Sequence, residues 1–258
     1  MNEQNTTWQD AEDPQGNTTR EFIIHQDDKR SVTGAVWLPT AIDPAKPLIL
    51  FGHGASGDRY QAPITHLANK FREQAGFPVL SIDGPVHGLR QVGPGGREAF
   101  WPEWQRDACI DDMTEDWQLA ISAVQTMAGV KSSGLAYFGL SMGSIFGIPL
   151  VAVRQDMLVA TLGLIGVNDS NPHGQRLLDD AARIQCPLLF LMQLEDELFD
   201  REGYLKVFDA LASKDKRIHA NTGLHPEIPG DEIQFAFDFM LGHIHGTAAR
   251  EIVNPLAE

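Results

Sequence analysis

The 258-residue chain carries 35 acidic against 20 basic side chains, a formal charge of −15 that no Lys/Arg cluster interrupts, and this disfavours nucleic acid and anionic membrane as partners. Its two cysteines, Cys109 and Cys186, are too few for a disulfide framework, and its longest apolar runs are far too short to span a bilayer. Residues 1–20 are polar and acidic, without the apolar stretch of a signal peptide, so the chain is expected in the cytoplasm with its Asn5 and Asn17 sequons unmodified.

Residues 1–19 are expected to form a disordered tail. Residues 21–26 and 31–39 read as two strands of a hairpin around Asp27-Asp28-Lys29-Arg30. From there apolar strands and helices alternate. Pro47-Leu48-Ile49-Leu50-Phe51 is a continuous apolar strand, residues 64–74 a helix, and residues 77–83 a second buried strand. Residues 84–109 form the one long excursion, rich in glycine and carrying Phe100, Trp101 and Trp104; loops of that length in compact domains tend to be functional. A long helix over 111–127 follows, then a strand at 135–138 and a helix to residue 154. Strands at 158–167 and 187–194 flank a short helix at 175–183. A helix at 204–212, a short strand at 217–220 and a helix at 231–243 close the pattern, and residues 246–258 remain as a C-terminal tail. Such alternation implies a single α/β domain, a mostly parallel sheet with helices on both faces, led by an antiparallel hairpin.

The pentapeptide Gly139-Leu140-Ser141-Met142-Gly143 sits between the 135–138 strand and the helix after it. A serine on such a corner is forced into a strained conformation that holds its hydroxyl over the sheet edge, and the flanking glycines relieve the crowding. A serine hydroxyl needs a histidine to take its proton, an acid to orient the histidine, and donors for the developing oxyanion. All of these should lie beyond the carboxyl ends of parallel strands.

The donor loop is Gly52-His53-Gly54-Ala55-Ser56-Gly57, after the first apolar strand. The backbone amides of Ala55 and Met142 are the expected oxyanion donors, each worth about 3 kcal/mol of transition-state stabilisation. His53 is expected to brace that loop, and a plain glycine-rich turn is the alternative reading. The acid follows the 187–194 strand in Glu195-Asp196-Glu197. Asp196 is the first choice because its flanks let it turn inward, with Glu195 or Glu197 as alternatives; the acids not used are expected to be solvated. His225, in Thr222-Gly223-Leu224-His225-Pro226, follows the last strand on a Gly/Pro-shaped turn and is the expected base. His219 lies within that strand and is a decoy, and His87 shapes the loop after the second buried strand. His243 and His245 lack the carboxylate or cysteine partner that a metal site would need, so no metal and no cofactor is expected.

The chain order Ser141, Asp196, His225 is that of the α/β-hydrolase fold. On His53-Gly54-Ala55-Ser56-Gly57, Asp83-Gly84-Pro85-Val86-His87-Gly88, the Ser141 elbow, Asp196 and His225, the chain resembles the α/β-hydrolase superfamily, and within it the cap-poor serine esterases and dienelactone-hydrolase-like group. The resemblance implies one α/β-hydrolase domain over residues 20–245, an eight-stranded mostly parallel sheet, and a Ser-His-Asp hydrolase mechanism. Founding dienelactone hydrolases carry a cysteine nucleophile, so lactone specificity does not follow from a serine here. Residues 168–184 leave no room for a large cap domain; Phe100, Trp101 and Trp104 are expected either to cover the site and bind substrate or to pack on the sheet edge.

The expected activity is cleavage of a small carboxylic ester. A thioester, lactone, amide or carbon–carbon bond, or acyl transfer, remains open on the same three residues, and a non-catalytic ligand-binding module is a remote alternative. The aromatic excursion and acidic surface favour a neutral or apolar ester over a polyanion. Oligomeric state is not readable from the sequence.

Overall fold

The computed structural model describes residues 5–248 apart from Asp28 and Ala128. The parts of the expected tails at residues 1–4 and 249–258 lie outside the described residues. Nine strands run in the order β1(Thr6–Glu12), β2(Thr18–Ile24), β3(Val32–Trp37), β5(Val79–Ile82), β4(Leu48–Gly52), β6(Leu135–Gly139), β7(Met157–Gly163), β8(Leu188–Gln193), β9(Lys216–Asn221) across one sheet. The β1, β2 and β3 strands are antiparallel, as is the β3–β5 pair, and everything from β5 to β9 is parallel. This is the α/β-hydrolase fold.

Helices cover both faces because the central strands are apolar on both. In β4, Leu48 and Leu50 join one core with Tyr137 of β6 and Phe190 of β8, whereas Ile49 and Phe51 join the other with Phe138 and Leu191. This two-residue alternation is the pleat itself. Helices α1(Ile64–Lys70) and α7(Gly230–Ile244) close the second core. The first is closed by α3(Cys109–Thr126), α4(Met142–Val153), α5(Gly174–Ala181) and α6(Arg201–Ala210). Register aligns the ends of the strands: Gly52 lies opposite Gly139, and Gln193 opposite Asn221. The loops after β4, β6, β8 and β9 consequently open on one rim.

Two expectations are corrected. Among the described residues the sheet has nine strands, not eight, because residues within the expected 1–19 tail form β1 and the start of β2. Asp13 turns the chain between them: its carboxylate accepts from the amides of Gln15 and Asn17, from Trp37 Nε1 at 3.0 Å and from Asn69 Nδ2 at 2.9 Å. The 84–109 excursion is not all loop. It holds a helix, α2(Gly96–Trp104), which follows Gly95 and opens on Gly96, both with positive φ.

Candidate active site

Ser141 sits between β6 and α4 with φ 58° and ψ −121°, a strained backbone for a non-glycine residue. The corner is held from several sides. Ser141 N donates to Gly163 O at 3.0 Å, and the buried Tyr137 hydroxyl donates to Gly143 O at 2.6 Å. Ser144 Oγ accepts from Gly163 N at 2.8 Å and lies 2.7 Å from Gly139 O. Gly143 is required for space, since a Cβ there would sit 2.3 Å from Gly52 O at the end of β4.

The loops after β8 and β9 meet this corner. His225, buried at 4 % exposure, places Nε2 at 2.8 Å from Ser141 Oγ and Nδ1 at 2.7 Å from Asp196 Oδ2. An ionised carboxylate only accepts, so Nδ1–H donates to Asp196 and Nε2 is left to accept from the serine hydroxyl. Asp196 Oδ1 accepts from the amides of Leu198 at 2.7 Å and Phe199 at 3.1 Å, and its Oδ2 also accepts from the Tyr204 hydroxyl. Burial pushes this carboxyl up, but the hydrogen bonds from His225, Tyr204 and the Leu198 amide outweigh it and hold the pKa below the ordinary Asp value.

No protein-family model and no curated protein matches the sequence. Among solved structures, the PEG-bound complex of a cold-adapted esterase from an Arctic intertidal metagenomic library aligns with a TM-score of 0.75 and 28% identity, over 93% of this chain and 97% of that one. Two others share the fold at lower identity. An acetyl xylan esterase from Paenibacillus sp. R4 has a TM-score of 0.69 at 16% identity, over 91% of this chain and 87% of its own. Acetyl xylan esterase 1 from Thermoanaerobacterium sp. JW/SL YS485 has 0.68 at 14%, over 92% and 87%.

The chain shares the fold of the α/β-hydrolase superfamily. These structures single out no subgroup within it.

In this structure two pockets meet at Ser141. The first, about 310 Å³, is lined by the 52–56 loop, Leu164, His225, Pro226 and Ile233. The second, about 260 Å³, is lined by Ala55, Phe100, Trp101, Trp104, Met142, Ile145 and Phe199. Phe100 and Trp104 are buried, pack on Phe146 of α4 rather than on the sheet edge, and also line this pocket; Trp101 is 61 % exposed at the rim.

The remaining histidines take other places. Gly84 N donates to His53 Nε2 at 2.8 Å, and His53 Nδ1 lies 2.8 Å from Gly54 O. Burial lowers the His53 pKa to about 4, so the neutral ring braces the loop. His87 lies between the carbonyls of Pro85 and Ala55, at 2.6 and 3.0 Å. His219 faces Glu232 at 3.1 Å, away from Ser141. His243 lies 3.4 Å from Asp215, and among the described residues no group of three or more His, Cys, Asp or Glu side chains could hold a metal ion.

Glu195 and Glu197 are not simply solvated. Glu195 accepts from the Gly223 amide and Glu197 from the His225 amide at 2.9 Å, so both grip the loop that carries His225. Gln193 does the same through the carbonyls of Leu224 and Glu227. The sequence offered Glu195 and Glu197 only as alternative acids; their hold on this loop, and the roles of Gln193 and Tyr204, were missed. A tyrosine inside a helix carries the same signal as any core aromatic, and only folding aims its hydroxyl at Asp196.

Proposed function

We propose that this chain hydrolyses carboxylic esters through a triad of Ser141, His225 and Asp196 and an acyl-enzyme intermediate. One observation carries the reading: an unbroken hydrogen-bond line from the Asp196 carboxylate through the His225 ring to the Ser141 hydroxyl, at 2.7 and 2.8 Å. His225 Nε2 takes the serine proton as Oγ attacks the acyl carbon, and Asp196 steadies the imidazolium that forms. The oxyanion turns toward the amides of Ala55 and Met142. Met142 opens α4, where first-turn N–H groups have no intrahelical acceptor and the helix dipole favours negative charge.

His225 then returns the proton to the departing alkoxide, and a water activated by the same ring releases the acid. His225 lines the first pocket and not the aromatic one. The leaving alcohol is therefore assigned to the 310 Å³ side and the acyl group to the aromatic side. Similarity to a cold-adapted esterase supports a small ester as substrate.

Ser141→Ala tests the reading. The variant is expected to stay folded, to lose turnover of short-chain esters, and to lose labelling by a fluorophosphonate probe. Ester turnover at the wild-type rate in that variant would remove Ser141 as nucleophile.

A further inference from the structure

Among the described residues neither pocket beside Ser141 has an Asp or Glu in its lining, although the chain has 35 acidic residues. One side chain with a fixed charge is common to both linings: Arg97. Among the described residues every other arginine makes an ion pair or a side-chain hydrogen bond, whereas Arg97 makes neither. Its placement follows from the backbone. Gly95 and Gly96 have φ of 69° and 61°, and a Cβ on Gly96 would come within 4.0 Å of Ala55 O. This turn starts α2 against the loop assigned to the oxyanion and sets Arg97 at the seam of the two pockets. Trp101, four residues on, shares its helix face.

Resting on the ester-hydrolase reading, we propose that Arg97 selects esters carrying one carboxylate group near the scissile bond. A guanidinium presents a planar fork that matches a carboxylate with two parallel hydrogen bonds. Because the linings hold no competing acid, an incoming carboxylate is the available partner for this cation. The charge of −15 still repels a polyanion at long range, but at a Debye length of about 8 Å a single carboxylate in contact with Arg97 feels mainly its partner. The substrate so selected is apolar over most of its surface with one negative end, and so departs from the neutral or apolar ester expected from composition.

Two matched pairs test this and separate the sides of the substrate. Monoethyl glutarate against ethyl pentanoate puts the carboxylate on the acyl side; meta-acetoxybenzoate against phenyl acetate puts it on the alcohol side. The wild type is expected to favour the carboxylate member of at least one pair in kcat/KM, mainly through KM. Arg97→Ala is expected to lower that ratio about tenfold, the size of one charge-assisted contact, and Arg97→Lys to retain part of it. A preference in one pair assigns the side. No preference in either pair, or one that Arg97→Ala leaves unchanged, overturns the inference while Ser141-dependent cleavage of neutral esters stands. If no ester is cleaved at all, the hydrolase reading fails separately, and calorimetric titration with glutarate and benzoate decides: equal affinity for wild type and Arg97→Ala overturns the role of Arg97.

Discussion

Asp196 shows how folding separates three neighbouring carboxylates. Its side chain is fully buried beside His225 and takes four hydrogen bonds, from two backbone amides, the imidazole and Tyr204. Glu195 and Glu197 reach only the backbone amides of Gly223 and His225. Asp196→Asn would turn the imidazole to the wrong tautomer, and kcat is expected to fall on the order of 10⁴-fold, as in serine-protease triads. Glu195→Gln and Glu197→Gln keep an acceptor oxygen for their amides and are expected to stay within about tenfold of wild type, since a single neutral hydrogen bond carries only about 1 kcal/mol. Steady-state kinetics on the three variants checks this; an equal loss in all three would refute the assignment. The turns that carry Ser141 and His225 were legible in the sequence because each is marked by glycine and directly follows a strand pattern. The choice among residues 195–197 was not, because burial is a property of the packed loop.

The strand–elbow–helix unit shows the same division at the level of the element. The β6 strand and α4 are written in apolar runs and bracketing glycines, but the demand on Gly143 comes from β4, 91 residues earlier in the chain. A methyl group there meets Gly52 O at 2.3 Å and Gly52 C at 2.7 Å, both backbone, so α4 must shift away from β4. Gly143→Ala is therefore expected to cost about 2 kcal/mol or more by overpacking and to lower kcat as Ser141 moves. Urea unfolding together with ester kinetics checks it, and a variant with wild-type midpoint and rate would count against the packing argument. Two elements were not legible. The β1 strand is half exposed on both sides and shows no apolar alternation, and α2 opens on Gly96 and contains Pro102, both of which read as helix breakers.

Over the whole molecule, buried titratable groups couple the site's scaffold to pH. His53 has its pKa lowered by burial to about 4, against about 6.5 in an unfolded chain. Between those values the unfolded chain holds a proton that the folded one does not, so the full contribution is present above pH 6.5 and drains away as pH falls toward 4. The loss amounts to about 3 kcal/mol. Asp13, Glu21 and Asp196 have folded pKa values below the ordinary ones; their contribution holds above about pH 4 and is lost on further acidification. Thermal midpoints should thus decline gently from pH 6.5 and steeply below 4, and His53→Gln should flatten the upper part only. An unchanged slope above pH 4 in that variant would refute the role of His53. The sequence by itself determined the α/β class, the elbow serine and the turn histidine, because periodicity and glycine placement are local and survive in the unfolded chain. Tertiary structure alone decided which acid is buried, that Tyr204 serves it, that an apparently loose N-terminal stretch adds a strand, and that Arg97 has no side-chain partner among the described residues. Burial and pairing arise only when distant segments exclude water together.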